Sequence, residues 1–405
     1  MRLSRRSMIA GAAASGLAGG CTPAAIPGTL GGADIARGHA LRDRRFPEPS
    51  REEETDVAII GGGVAGLSAG WALADAGVRD FRLLELEDRA GGNARAGRNR
   101  VSAYPLGAHY LPIPNPESTG VVRLLERLGI VTGWRHGKPV FDPYQVVSDP
   151  EERLLATGRW QEGLIPTLGL SATDRHDIGV FFEKVAVFRD RRDGGRPAFA
   201  IPMELSSRAP DLLALDRISM ADWLDGQNLR SPVLRAHIRY ACRDDYGTEP
   251  NEVSAWAGIH YFAGRRGAAA NVEGDRVLTW PEGNAYLTGR MAARLGDRIN
   301  GGSVVWRVAQ DEHGVLVDHY DTGVRKTIRV RARAAILATP HFVTARLLPD
   351  LDAAPFHYAP WIVANVTVDR PPAGPGFALA WDNVSATSGS LGYVVANHQS
   401  LASTP

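Results

Sequence analysis

Residues 56–77 read DVAIIGGGVAGLSAGWALADAG, and no other stretch of the chain restricts the fold as severely. Val57, Ala58, Ile59 and Ile60 form an unbroken apolar run, the pattern of a strand buried on both faces of a parallel sheet. Gly61, Gly63 and Gly66 follow at the spacing Gly-x-Gly-x-x-Gly. The first permits a tight turn out of the strand, the second lets backbone approach a pyrophosphate, and the third lets the next helix pack closely on the sheet. That helix, opening at Val64 and Ala65, directs its N-terminal amides at the phosphates. Leu67, Trp71, Leu73 and Ala76 fall at roughly helical spacing, and Gly77 stands where a C-terminal cap belongs. A second strand, Phe81–Leu84, ends at Glu85, 19 residues after Gly66, where a carboxylate reaches ribose hydroxyls. Its charge disfavours the extra phosphate of NADP. The segment predicts an α/β fold with a Rossmann-like dinucleotide-binding domain.

The continuation, LELEDRAGGNARAG from residue 84, selects the dinucleotide. Glu85, Asp88, Arg89, Gly91 and Gly92 match a glutamate at a strand end followed by Asp-Arg-x-Gly-Gly. Here the chain resembles the flavoprotein superfamily of the flavin-containing amine oxidases, protoporphyrinogen oxidase and the phytoene desaturases. The resemblance implies FAD, with Leu86 and Arg89 beside it and the second glycine pair closing over the same pyrophosphate. Leu106-Gly107-Ala108-His109-Tyr110 resembles the segment that passes the isoalloxazine ring, which brings Gly107, Ala108 and His109 into the cofactor set. Residues 279–320 resemble the return into the FAD domain: Pro281-Glu282-Gly283 opens a helix carrying Leu287, Met291 and Leu295, and Val305 and Val308 lie on a strand, Val305 where the family's backbone meets adenine. Residues 331–340 resemble the strand and turn that complete this lobe.

The resemblance implies an FAD-binding domain built from residues 54–115 and 272–345, interleaved with an α+β substrate domain built from 116–271 and 346–405. The middle region reads mainly helical, with an amphipathic stretch from Val121 ended by Gly129. Trp361 to Val368 reads as a sheet strand.

Ahead of all this stands MRLSRRSMIAGAAASGLAGGC. Its apolar run is well short of the roughly 20 residues that cross a bilayer. Residues 1–21 therefore read as an export signal resembling the twin-arginine type, through Arg5 and Arg6, which carries already folded cargo by the twin-arginine machinery. Leu17-Ala18-Gly19-Gly20 before Cys21 resembles a lipobox, with Ala18 departing from it, so a lipid anchor at Cys21 and plain cleavage nearby both stay open. Residues 22–53, rich in Gly, Pro and charge, read as a linker. A periplasmic or envelope-anchored protein follows. About 380 residues remain after the signal, enough for one large or two ordinary domains. A net charge of +1 argues against nucleic acid as the partner, and Cys21 and Cys242 cannot make a disulfide framework. No metal-ligand spacing was found, and no metal is expected.

Three departures from the family pattern qualify the resemblance. Asn93 stands where amine oxidases have an arginine holding the pyrophosphate, a role open to Arg95. None of Lys138, Lys184 and Lys326 lies where many amine oxidases use a lysine near the flavin. The sequence ends HQSLASTP without the family's Gly-Asp turn and closing helix, so a C-terminal truncation is expected.

The reaction implied is a two-electron, hydride-type oxidation of a small organic molecule, with oxygen or a quinone as acceptor. A flavin-dependent desaturase or isomerase, and a non-catalytic flavin-binding envelope protein, are the alternatives. Candidate catalytic residues are His109, Arg243, His260 and Tyr261. Asp244, Asp245, Tyr246 and Trp256 lie near them in sequence, and Trp381, Asn383, Tyr393 and His398 could line a far wall. Core packing, caps and sheet contacts are the plainer reading of each.

Overall fold

The computed structural model describes residues 26–43, 45–273 and 275–399. The export signal and Cys21 lie outside the described residues. Residues 26–34 form a separate stretch with neither helix nor strand.

Helix α1 (Ile35–Asp43) occupies part of the stretch that reads as a linker. Leu41 is buried in the core with Ala58, Ile60 and Leu84, and Arg37 donates to the Leu86 carbonyl at 2.8 Å and pairs with Asp88 at 2.7 Å. One buried residue leaves no periodicity to read, which is why the sequence hides this helix. Strand β1 (Arg51–Ile60) is exposed at its start and closed at its end, where Ala58, Ile59 and Ile60 are buried. Helix α2 (Val64–Asp75) and strand β2 (Phe81–Leu84) follow as the sequence predicts, Gly77 taking a left-handed φ of 81° after the helix.

The chain then leaves this sheet. Strand β3 (Tyr110–Pro112) precedes a helix at Thr119–Arg127, closed by Gly129 as expected. Residues 131–162 carry no α-helix, only a 3₁₀ turn at Pro143–Gln145 between two hairpins, the second beginning with β4 (Glu152–Ala156). Helices α3 (Ala172–Asp190), α4 (Pro232–Tyr246) and α5 (Ala255–Ala263) pack around Phe181, Phe199, Trp223 and Ile259. Strand β5 (Val277–Thr279) pairs antiparallel with β3 and leads into α6 (Ala285–Leu295), which buries Leu287, Met291 and Leu295 as expected. Gly70 of α2 lets α6 come close: a Cβ there would lie 2.7 Å from a Leu295 methyl.

Strands β6 (Ile299–Asn300), β7 (Ser303–Asp311), β8 (Gly314–Asp321) and β9 (Lys326–Leu337) return to the first sheet. Its order is β6-β2-β1-β9-β8-β7. Strand β1 runs parallel to both neighbours, Ile59 lying between Leu83 and Ile336, whereas β7, β8 and β9 form an antiparallel meander. A register shift between Val305 and Arg307 explains how Val305 and Val308, of opposite parity, both reach one core. Helix α7 (His341–Leu347) follows Pro340.

Strand β10 (Asp382–Ser385) joins β4 in parallel inside a four-stranded sheet. Residues 361–368, expected to be a strand, have no ladder partner among the described residues, and Ile362 and Val366 are 90 % and 72 % exposed. Their alternation supports extended backbone, but a strand also needs a neighbour. No helix among the described residues is long and apolar enough to cross a membrane.

Candidate active site

The turn between β1 and α2 is packed to the limit of its backbone. Gly61 has φ +100°, and a Cβ on Gly66 would lie 1.8 Å from the Gly61 carbonyl oxygen. The second glycine pair abuts the first: Gly91 N–H donates to the Gly62 carbonyl at 2.7 Å, and a Cβ on Gly92 would lie 3.0 Å from Gly63 Cα. Val64 and Ala65 are exposed at the start of α2, where no side chain caps the helix. The first-turn amides thus have no side-chain cap and lie beside small or glycine residues, the chemistry a pyrophosphate needs.

Glu85 is buried at the end of β2 and accepts the Gly62 and Glu87 N–H groups, the latter at 2.8 Å. Burial raises its pKa, and the two amides oppose that rise. The backbone of β7 runs beside it, Ser303 N–H donating to the Glu85 carbonyl and Gly302 N–H to that of Glu87, each at 2.8 Å. This places Val305 and Leu86 on one core beside Glu85. Arg89 is exposed. Arg95 Nε donates to the Gly92 carbonyl at 3.1 Å, and its guanidinium lies 3.4 Å from Glu87. These residues fit a dinucleotide: a bare glycine cradle, a helix N-terminus, a carboxylate at ribose distance in sequence, and arginines at the rim.

Residues 106–110 thread between two supports. Leu106 N–H donates to Arg95 and Ala108 N–H to the Asn93 carbonyl, at 2.9 and 3.1 Å. On the other side Asn284 N–H donates to Ala108 at 3.1 Å and its side chain to the Tyr110 carbonyl at 2.9 Å. Gly107 is required, because a Cβ would lie 2.5 Å from the Asn93 oxygen. The segment therefore carries His109 and Tyr110 directly from the glycine cradle. The His109 ring packs against Tyr110 and Trp381, with centroids 5.0 and 5.7 Å away, and burial depresses its pKa, which keeps it neutral.

Beyond these rings the chain gathers carboxylates. Asp382 on β10 stands directly opposite Glu152 on β4, and Tyr240 of α4 lies against it. Burial, with Glu152 and Asp244 nearby, pushes the Asp382 pKa up to about 8. Asp244, one turn after Tyr240, is pushed up to about 6 by burial and Asp245. The Tyr261 hydroxyl lies 3.5 Å from Asp244. Arg265 donates to the Tyr110 hydroxyl at 3.1 Å, lies 3.4 Å from Asp245, and sits over the Tyr261 ring at 4.3 Å. Aromatic faces and desolvated carboxylates together favour a cation.

His109 and Trp381 thus pack with Tyr110, which Arg265 joins to Tyr261. Asp244 and Asp245 join this cluster, and the remaining candidates stand elsewhere. His260 bonds the Ala200 carbonyl at 2.8 Å and stacks on Trp256, its centroid 4.9 Å away, so it ties α5 to a neighbouring loop. Arg243 donates to the Gly389 carbonyl at 2.8 Å. The Tyr246 hydroxyl donates to Ala257 at 2.7 Å. Asn383 is fully buried as acceptor for Arg153, which also donates to the Tyr393 hydroxyl at 3.0 Å, and His398 bonds Ser148 at 2.9 Å. Glu152, Tyr240, Arg265 and Asp382 escaped the sequence reading. Only Tyr240 carried a signal, being four residues before Asp244 on one helix face.

A family model described as flavin containing amine oxidoreductase matches residues 64–395. Amine oxidase A of Canis lupus familiaris is 25% identical over 325 residues, covering 79% of this chain and 54% of that protein. Tryptophan 2-monooxygenase of Pantoea agglomerans pv. gypsophilae is 42% identical over 81 residues, covering 19% of this chain and 14% of that protein. The chain spans about half the length of the curated amine oxidases it matches. Among solved structures, putrescine oxidase superposes with a TM-score of 0.53 at 20% identity, covering 73% of this chain and 60% of that one. Cyclohexylamine oxidase from Brevibacterium oxydans gives 0.52 at 20% identity, covering 74% and 61%. A fatty acid isomerase from P. acnes gives 0.51 at 16%, covering 74% and 62%, so the likeness to structures speaks for the fold alone.

Proposed function

Because the chain belongs to the flavin-containing amine oxidoreductase family, we propose that it is an FAD-dependent oxidoreductase that takes a hydride from the carbon beside an amine nitrogen. The observation that carries this reading is the aromatic–carboxylate cluster of Tyr110, Tyr261, Asp244 and Asp382, joined to the glycine cradle by residues 106–110. In the reading, the α2 N-terminus with Arg89 and Arg95 holds the pyrophosphate, Glu85 the ribose, Leu86 and Val305 the adenine, and Gly107 to His109 flank the ring. When bound, FAD supplies the two-electron acceptor.

The chain's own residues do the rest. The carboxylates attract an ammonium group, and the aromatic faces strip water from it. An amine gives up hydride as the free base, so its proton must be held. Asp244, with a pKa near 6, is ionised in neutral solution and can take that proton, whereas Asp382, near 8, is mostly protonated there and becomes an acceptor only as pH rises past 8. Neutral His109 adds no competing charge. Oxygen or a quinone restores the oxidised state.

Export by the twin-arginine route, to the periplasm or, with a lipid on Cys21, to the envelope, completes the proposal, since FAD must be inserted where it is made. Replacing Arg5 and Arg6 with lysine should leave the protein in the cytoplasm on fractionation, and unchanged export sinks that part. The oxidation is tested by anaerobic mixing of the flavin-loaded protein with primary and secondary amines. Bleaching of the visible flavin band is expected. Bleaching by polyenes alone, or product isomers formed without bleaching, would replace this reading with the desaturase or isomerase one.

A further inference from the structure

Arg265 brings a positive charge into the aromatic–carboxylate cluster, and its side chain also borders an outer cleft of about 530 Å³ shared with Arg189, Asp190, Arg192, Arg266 and Asp275. The backbone on either side of it is fixed. Asn115, itself buried, donates to the Gly264 carbonyl at 2.8 Å and accepts Arg266 N–H at 2.9 Å, and a Cβ on Gly267 would lie 2.2 Å from the Ile113 carbonyl oxygen. The Arg266 side chain is tied down too, to the Phe199 carbonyl at 3.0 Å and to Glu117 at 2.9 Å. The Arg265 side chain is held by contacts to other side chains, those of Tyr110, Asp245 and Tyr261, and by no backbone carbonyl among the described residues, so a competing cation can take over each of them. Its guanidinium meets a hydroxyl, a carboxylate and a ring face, supplied by Tyr110, Asp245 and Tyr261, which is the seat an organic ammonium would seek.

We propose that Arg265 is a gating residue whose guanidinium fills the seat of the substrate's cationic group, so that an amine gains the site by displacing it toward the outer cleft, where Asp275 lies. The inference rests on the amine-oxidation reading above. A guanidinium in such a place could instead anchor a substrate carboxylate, but Glu152, Asp244 and Asp245 around it repel an anion, and the charge balance favours the competing-cation role.

Calorimetric titration of the full chain with benzylamine hydrochloride, and separately with sodium phenylacetate, tests the gate without turnover. Arg265→Gln should bind benzylammonium about tenfold more tightly than the wild type, about 1.4 kcal/mol. Arg265→Lys, which keeps the charge, should stay close to the wild type, and thermal melting checks that each variant folds. Equal or weaker benzylammonium binding by Arg265→Gln overturns the proposal, as does phenylacetate binding that the substitution abolishes. Absence of benzylammonium binding in every form overturns it as well. The two readings fail separately: tighter binding without bleaching removes the oxidation and keeps the gate, whereas bleaching with unchanged affinity removes the gate alone.

Discussion

Replacing Gly66 with alanine is expected to abolish flavin binding. The added methyl would stand 1.8 Å from the Gly61 carbonyl oxygen, a separation no rotamer change relieves because the obstacle is backbone. Either α2 lifts from the sheet or the turn after β1 opens, and each movement carries the first-turn amides away from a pyrophosphate. Overpacking at such a site costs on the order of 1–3 kcal/mol in stability. The loss of binding should exceed that, because both glycine turns share the cradle. Gly289→Ala is the control. It lies inside α6 with open space around its Cβ, so alanine there should keep the flavin and be neutral or stabilising by about 0.5–1 kcal/mol. The bound flavin per protein, read with the melting curve of each variant, checks both. Full flavin occupancy with an unchanged melting curve in Gly66→Ala would refute the cradle.

Stability should fall as pH rises toward 8, and Asp382→Asn should remove much of that fall. Asp382 has a folded pKa of about 8, far above the ordinary carboxyl range near 4. A group raised on folding contributes stability fully below its unfolded pKa, and the contribution disappears as pH climbs through the folded value. Asp244, at about 6, and Glu151, at about 8, act with the same sign. Asp174, Glu249 and Asp311 act oppositely: serine or arginine partners lower their pKa values, so their contribution is lost on acidification below about 4. Burial also lowers the pKa values of His109, His237, His260 and His319, whose contribution is lost as pH falls below about 6.5, so the melting temperature should peak between about pH 6 and 7 and decline into mild alkali. The amide of Asp382→Asn cannot ionise, so its melting temperature should decline less over that alkaline side, and its affinity for an ammonium group should fall below the wild type only above about pH 8, where Asp382 carries its charge. A wild-type melting temperature that still climbs between pH 7 and pH 8 would contradict this assignment of charge.

The dinucleotide cradle was legible in the sequence because its requirements are mostly local. Gly61, Gly91 and Gly92 answer to positive φ angles, Gly66 to the Gly61 carbonyl five residues before it, and Gly63 to the second glycine turn about thirty residues on, while Glu85 stands at the end of the next strand. The carboxylate cluster was not legible for the opposite reason. Asp382 meets Glu152 through strand pairing between parts of the chain 230 residues apart, and the strand alternation around Trp381 and Asn383 gives Asp382 no distinguishing mark. His260 shows the converse: four residues from Trp256 it looked like a pocket wall, yet that spacing produces a stacked pair bonded to Ala200. Residues 361–368 alternate like a strand but lack a ladder among the described residues, and α1 is held by Leu41 and Arg37 with too few contacts to leave a pattern.

The visible absorption spectrum of the purified protein, before and after addition of FAD, tests the central claim most directly. Flavin bands that travel with the protein, or that appear in stoichiometric amount when FAD is added, are the expected result, with FAD released intact on denaturation. A folded protein that stays colourless in both states would contradict the account, since every assigned role of Glu85, His109 and Asp382 presupposes that cofactor.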